Sequence, residues 1–97
     1  MSGAAGREQG GIVAYLEGEY RPLAEAKVSV MTHAFLYGTA TFEGIRAYWN
    51  AEEQQLYALK VDEHLERLRA SCKILLMDPL PEVDAVKGIV VELLRRN

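Results

Sequence analysis

The densest group of side chains able to do chemistry lies in residues 32–46. Hydroxyl groups, aromatic rings, two glycines and an arginine are mixed there. Gly38 and Gly44 would let a small ligand approach the backbone. Tyr37 and Phe42 would supply an apolar wall with one hydroxyl group, the usual composition of a ligand pocket. The same residue types are common in strands and turns. From composition alone, a hairpin core with a tight turn is favoured over a ligand pocket.

Arg67 and Glu43 are the charged candidates. Arg67 follows Glu63 by four residues, the spacing of an ion pair on a helix surface. The favoured interpretation of Arg67 is therefore a solvated surface charge. A functional role needs an anion, and a guanidinium has the fork geometry that a phosphate prefers. Glu43 precedes Arg46 by three residues, and one carboxylate near one arginine more often forms an ion pair than a catalytic acid.

Other common functional motifs are missing from the sequence. His33 and His64 have no second histidine or cysteine at the short spacing of a zinc site, so both are predicted to be structural or solvent-facing and no metal is expected. Neither a Walker or dinucleotide glycine pattern nor a G-x-S-x-G elbow is found. The net charge of −3 comes from interleaved signs, without a basic stripe for nucleic acid or a polybasic membrane anchor. No nucleic-acid or membrane partner is expected.

Composition points to one soluble globular domain at most, with 49% apolar and 26% charged residues in a chain of 97. Cys72 is the only cysteine, which excludes an internal disulfide and favours a reducing, cytoplasmic setting. No apolar run approaches the roughly 20 residues needed to span a bilayer. Residues 1–11 are small and polar, so they are predicted to be a flexible terminus and not a secretory signal.

Strand signals come first along the chain. Residues 12–20 predict a hairpin with Gly18 in its turn. A helical turn is expected at residues 24–26, followed by a half-buried strand at residues 27–30. Thr32 is expected to cap a short helical turn that ends at Gly38.

A second hairpin and two helices are predicted next. Residues 41–49 are rich in aromatic and β-branched types and predict a strand. Gly44 in its middle indicates that another group approaches the backbone closely there. Residues 56–59 are its expected partner. Apolar residues at helical spacing from Val61 predict an amphipathic helix with Asp62 as its cap, and a second helix is expected from Val83 to the end. Strands before helices indicate an α+β fold, a mainly antiparallel sheet with helices packed on one face.

Three segments closely resemble the N-terminal signature of branched-chain amino-acid transaminases. The first is Val30-Met31-Thr32-His33-Ala34-Phe35-Leu36-Tyr37-Gly38 followed by Phe42-Glu43-Gly44-Ile45-Arg46. The others are Glu63-His64-Leu65-Glu66-Arg67-Leu68 and Ser71-Cys72-Lys73-Ile74-Leu75. These look like the family's H-x-x-R-L helix and its S-A-K-I-L continuation, with cysteine at the alanine. Nearly every element from Ile12 to Met77 has a counterpart in the family.

The resemblance implies that residues 12–97 are the small N-terminal domain of a two-domain class IV aminotransferase dependent on pyridoxal phosphate. Such enzymes transfer the amino group of leucine, isoleucine or valine to 2-oxoglutarate in branched-chain amino-acid biosynthesis or breakdown. The cofactor supplies the electron sink and the protein orients it. A homodimer or higher homo-oligomer is implied, because in this family the N-terminal domain also reaches the pocket of the other subunit.

Five residues take their expected roles from the resemblance. Arg67 is similar to the arginine that grips the cofactor phosphate. The positions where the family places substrate-pocket residues are Tyr37, Phe42, Gly44 and Arg46.

No catalytic residue is expected in this chain, because it stops before the family's Schiff-base lysine and before the carboxylate that faces the pyridine nitrogen. Its four lysines, none in the matching context, are Lys27, Lys60, Lys73 and Lys87. The 97 residues alone are therefore expected to have no transaminase activity. Alternatives are a D-amino-acid transaminase or an aminodeoxychorismate lyase on the same scaffold, and, outside the enzymes, a non-catalytic binding or dimerisation module.

Overall fold

The structure is a computed structural model that describes residues 11–97. The flexible terminus predicted for residues 1–11 thus lies outside the described residues except for Gly11. Along the described chain the elements are β1 (Val13–Leu16), β2 (Glu19–Pro22), a 3-10 turn (Leu23–Glu25), α1 (His33–Tyr37), β3 (Ala47–Asn50), β4 (Gln55–Ala58), α2 (Val61–Ile74) and α3 (Val83–Arg96). Their residues group into a first unit, 11–38 with 88–97, and a second unit, 39–87.

In the first unit, β1 and β2 form an antiparallel hairpin with Leu16 opposite Glu19. The two residues of the turn, Glu17 and Gly18, both have positive φ, 53° and 88°, as the turn type that matches the twist of paired strands requires. Glycine adopts this conformation without steric cost, so Gly18 determines where the chain reverses. The hairpin predicted over residues 12–20 is confirmed.

The last two residues of the described chain contact this hairpin. The Asn97 side chain accepts a hydrogen bond from the Val13 N–H at 2.8 Å, and its Nδ2 donates to the carbonyl oxygens of Val13 and Leu93, each at 2.9 Å. The Arg96 guanidinium lies 4.2 Å from the centre of the Tyr20 ring, a cation–π distance. The C-terminal end of α3 is therefore fixed to both strands of the hairpin.

In the second unit, β3 and β4 form the other antiparallel hairpin, with Asn50 opposite Gln55. A hydrogen bond from the Leu59 N–H to the Arg46 carbonyl oxygen, 2.8 Å, continues the pairing beyond the strands. Helix α2 follows directly, and its Leu65 is 4% exposed, the one buried hydrophobic residue in the described part of the chain. Side chains of α2, of the start of α3 and of the loop between them line a partly open cavity of about 60 Å³ beside it.

Helix α2 begins differently from the prediction. Lys60, not Asp62, occupies the capping position; it has left-handed backbone angles and makes no capping hydrogen bond with its side chain. Asp62 already lies inside the first turn, where its carboxylate is favoured by the helix dipole and forms an ion pair with Lys87, 3.0 Å between Oδ1 and Nζ. The predicted cap was therefore wrong, while the predicted helices from Val61 and Val83 are confirmed.

The α+β class with antiparallel pairing is confirmed, in the form of two separate two-stranded sheets among residues 11–97. The strand expected at residues 27–30 does not form, and all four residues are exposed. Of the strand expected at residues 41–49, only the end pairs, as β3. An extended segment becomes a strand only where a partner meets its backbone groups, and local alternation does not reveal that partner. Every helix in the described part is too short or too polar to cross a lipid bilayer.

Candidate functional site

The side chains of Glu43, His64 and Arg67 form a hydrogen-bonded cluster in the second unit. Arg67 donates from Nε to Glu43 Oε2 at 2.8 Å and from Nη2 to Oε1 at 2.7 Å, a bidentate ion pair. His64 Nδ1 lies 2.7 Å from the same Oε1. The Glu43 side chain is only 10% exposed, whereas that of Arg67 is 67% exposed. A sheltered carboxylate is thus held by one solvent-facing guanidinium and one imidazole.

The segment before β3 brings Glu43 to α2. Along residues 41–48, half-buried and exposed residues alternate strictly, as in an extended chain with one face covered. On the covered face, the Thr41 hydroxyl lies 3.3 Å from the Cys72 thiol of α2, and Glu43 binds the helix two residues later. His64 and Arg67 meet Glu43 together because residues three apart lie on one face of a helix.

The protonation of the cluster follows from these contacts. The bonds from Arg67, then from His64, lower the pKa of Glu43 to about 2 against the opposing effect of desolvation. The carboxylate is therefore ionised at neutral pH and can only accept hydrogen bonds. His64 Nδ1 must then carry the proton of the 2.7 Å contact. The bond with Glu43 in turn raises the pKa of Arg67, so the guanidinium remains charged.

We expect the ionised Glu43 to stabilise the second unit at neutral pH and to lose this contribution in acid. A carboxyl pKa lowered from 4.5 to about 2 on folding contributes stability that is complete above the unfolded value and disappears as pH falls toward the folded value. Carbon-13 NMR of the Glu43 side-chain carboxyl, recorded from pH 6 down to pH 2, would measure the pKa on which this contribution depends. A titration midpoint at the ordinary glutamate value would contradict the cluster geometry.

Arg67 has donors left over after binding Glu43. Its Nε and Nη2 use two of the five guanidinium N–H groups for Glu43. Nη2 also lies 3.5 Å from His64 Nδ1, which cannot accept a hydrogen bond while it carries the proton donated to Glu43. The edge formed by Nη1 and the remaining N–H of Nη2 is a second bidentate fork, of the kind that suits a phosphate. Beside Arg67 lies a groove of about 240 Å³ that is also lined by Lys60, Glu63 and His64. Donor number, charge and space therefore fit a phosphate group, while the described residues hold no cluster of metal-ligating side chains.

Three of the predicted substrate residues share one face of the extended segment. Phe42, Gly44 and Arg46 alternate with the covered residues, and all three are exposed. Phe42 is the most open of them, at 91% exposed. A Cβ atom added at Gly44 would meet nothing within 4 Å, so the close approach predicted at Gly44 is not made by the described part of this chain. The face is an open surface on which a ligand or another part of a protein can lie.

Tyr37, the remaining predicted substrate residue, belongs to the first unit. It is the last residue of α1 and is exposed. Gly38 follows in the left-handed conformation, φ 69°, and its N–H donates to the Ala34 carbonyl oxygen, which ends the helix as predicted. The ring of Tyr37 lies 4.6 Å from the ring of His33 between centres. The phenol is thus held at a fixed helix end.

Two local pairings predicted from spacing were wrong. The carboxylate that Arg67 binds is Glu43 rather than Glu63. Glu43 and Arg46 do not pair, because an odd spacing in an extended chain places them on opposite faces. His64, expected to be structural or solvent-facing, is a member of the cluster. The signal for it was its position three residues before Arg67, but nothing in the local sequence indicated the carboxylate 24 residues away.

No family model matches the chain, but individual relatives do. Over 84 residues it is 49% identical to a probable branched-chain-amino-acid aminotransferase of Aquifex aeolicus, covering 87% of this chain and 27% of that protein. Over 86 residues it is 37% identical to a probable branched-chain-amino-acid aminotransferase of Synechocystis sp., covering 88% and 28%. The chain thus spans just over a quarter of the length of these relatives.

The fold comparison agrees with the sequence comparison. The crystal structure of a branched-chain aminotransferase from Thermoproteus uzoniensis with norvaline matches with a TM-score of 0.82 and 40% identity, covering 89% of this chain and 28% of that one. An identity of 40% together with this TM-score supports common descent and not the fold alone. By sequence and by fold, the chain is the counterpart of the N-terminal part of the branched-chain-amino-acid aminotransferases.

Proposed function

We propose that this chain is the N-terminal domain of a pyridoxal-phosphate-dependent transaminase that transfers the amino group of leucine, isoleucine or valine to 2-oxoglutarate. The products are branched-chain 2-oxo acids and glutamate. The observation that carries the proposal is Arg67, whose guanidinium is held by Glu43 along one edge while its side chain is 67% exposed. This arginine lies in a chain whose relatives are branched-chain aminotransferases.

Arg67 binds the cofactor phosphate in this proposal. A phosphate accepts two parallel hydrogen bonds from the free guanidinium edge, which contributes both orientation and charge. When bound, pyridoxal phosphate supplies the electron sink that makes the amino-acid α-carbon reactive. The part of Arg67 is to hold the cofactor by its phosphate so that the ring occupies one position.

The substrate lies against the exposed face formed by Phe42, Gly44 and Arg46. Phe42 offers an apolar surface to an aliphatic side chain. Gly44 adds no side chain beside it, which leaves room at the backbone. The guanidinium of Arg46 suits a substrate carboxylate. Tyr37 contributes a hydroxyl group to substrate binding in this proposal.

The remaining machinery comes from elsewhere in the enzyme. We propose that the cofactor-binding lysine lies in a C-terminal domain, since none of the four lysines of this chain has the family's context. We further propose a cytoplasmic homodimer or higher homo-oligomer, in which large apolar side chains such as Phe42 and Phe35, exposed here, meet other parts of the assembly.

A substrate panel tests the proposal. We expect the full-length enzyme, loaded with pyridoxal phosphate, to convert 2-oxoglutarate to glutamate with leucine, isoleucine or valine as donor, and the 97-residue chain alone to give no turnover. Glutamate formation would be followed by chromatography for the amino-acid donors, with D-alanine as a comparison donor. Aminodeoxychorismate, which a lyase cleaves without amino transfer, would be tested separately by pyruvate release. Activity with only the comparison substrates, or with none of the panel, would contradict the proposed substrate class.

A further inference from the structure

We infer that Glu43 is a positioning residue for the cofactor phosphate, acting through Arg67. The inference rests on the proposed function of Arg67 and assigns a role to a carboxylate that never touches the phosphate itself. Three features carry it: the bidentate pair, the shelter of the carboxylate, and the sign of its charge.

The bidentate pair divides the guanidinium into two edges. Glu43 occupies the edge formed by Nε and Nη2 with both carboxylate oxygens, at 2.8 and 2.7 Å. Two hydrogen bonds fix the plane of the guanidinium as well as its place, which one bond cannot do. The opposite edge, which includes Nη1, is consequently held in one orientation, in a side chain that is 67% exposed.

Arg67 needs this support because little else holds it. Its side chain is 67% exposed, and a long arginine side chain has many rotamers available in solvent. Glu43, by contrast, is 10% exposed and is anchored by His64 at 2.7 Å. It lies on the covered face of the extended segment, where Thr41 also contacts α2. The sheltered carboxylate thus orients the exposed guanidinium.

The sign of the charge makes the role testable. A carboxylate close to a phosphate site repels the phosphate, so removing its charge would strengthen phosphate binding if charge were its only effect. Removing a positioning residue would instead weaken phosphate binding, because Arg67 would no longer be held in place. The groove contains a second carboxylate, Glu63, which does not form the bidentate pair and therefore serves as the reference for charge alone.

The experiment measures dissociation constants of pyridoxal phosphate and of pyridoxal for the full-length enzyme by fluorescence titration. In Glu43→Gln, the amide NH₂ cannot accept a hydrogen bond, so the bidentate pair is lost at nearly constant shape. We expect about tenfold weaker binding of pyridoxal phosphate and no change for pyridoxal. Glu63→Gln should bind pyridoxal phosphate as tightly as wild type or more tightly.

The role of Glu43 is separated from that of Arg67 by two more variants. Glu43→Gln combined with Arg67→Ala should bind no more weakly than Arg67→Ala alone. Glu43→Asp keeps the charge but is one methylene too short for both bonds, and it should show a smaller, still phosphate-specific loss even if Glu43→Gln does not fold.

Unchanged or tighter binding of pyridoxal phosphate by both Glu43 variants would overturn the inference. Equal losses for pyridoxal phosphate and pyridoxal would do so as well, since a merely structural residue affects both ligands. If Arg67→Ala itself has no phosphate-specific effect, the proposed role of Arg67 fails instead, so the two failures are distinguishable.

Discussion

Replacing Arg67 by alanine is expected to weaken the binding of pyridoxal phosphate to the full-length enzyme about 100-fold, with pyridoxal binding unchanged. The free guanidinium edge would donate two charge-assisted hydrogen bonds to the phosphate, each worth roughly 1.5–3 kcal/mol. We take the lower end of that range because the side chain is largely in solvent, where water competes for both partners. Equilibrium titration with the two ligands measures the difference directly.

The matched control is Arg69→Ala. Arg69 lies on the same helix two residues later, and it binds the Pro81 carbonyl oxygen and Glu82, away from the cluster. The Arg69→Ala substitution should leave the ratio of the dissociation constants for pyridoxal phosphate and pyridoxal at its wild-type value. An equal loss of pyridoxal phosphate binding in both arginine variants would mean that general positive charge, and not the edge held by Glu43, attracts the cofactor.

The second large effect concerns stability. Leu65→Ala is expected to lower the free energy of unfolding of the 97-residue chain by about 2–5 kcal/mol. Leu65 is 4% exposed and borders the cavity of about 60 Å³, so truncation removes apolar burial and enlarges a void that already exists. Urea denaturation followed by the fluorescence of Trp49, the only tryptophan and part of the same unit, would report it.

Ile74→Ala serves as the reference for this measurement. Ile74 ends the same helix but is 80% exposed, so its truncation should change the free energy of unfolding by no more than about 0.5 kcal/mol. Similar losses for the two variants would show that the packing around Leu65 does not dominate the stability of the second unit.

The parts of the fold that local sequence determines were predictable. The helices from Val61 and Val83 begin where their apolar periodicity begins, and the first hairpin turns at Gly18, where positive φ is required. Pairing with a distant partner was not predictable. Residues 27–30 alternate as a strand would, yet no strand forms there, because alternation describes one face of a chain and says nothing of its neighbour.

The same limit applies to the site. Phe42, Gly44 and Arg46 share a face because residues two apart in an extended segment do so, while their role in substrate binding, taken from the resemblance, stays a prediction. The partner of Arg67 was missed, since Glu43 comes from an unpaired segment 24 residues earlier and a nearer carboxylate, Glu63, has ideal helical spacing. The carboxylate that binds Arg67 is the sheltered one, Glu43, and not the exposed one, Glu63. Burial depends on the folded chain and cannot be read from the residues next to either glutamate.

The amide of Asn97 makes the first hairpin sensitive to chemical ageing. Its Nδ2 donates to two carbonyl oxygens, those of Val13 and Leu93, while its Oδ1 accepts from the Val13 N–H. Deamidation would replace that nitrogen by a charged oxygen facing the same two carbonyl oxygens, turning both attractions into repulsions at once. Loss of this one amide donor would thus release the end of α3 from β1.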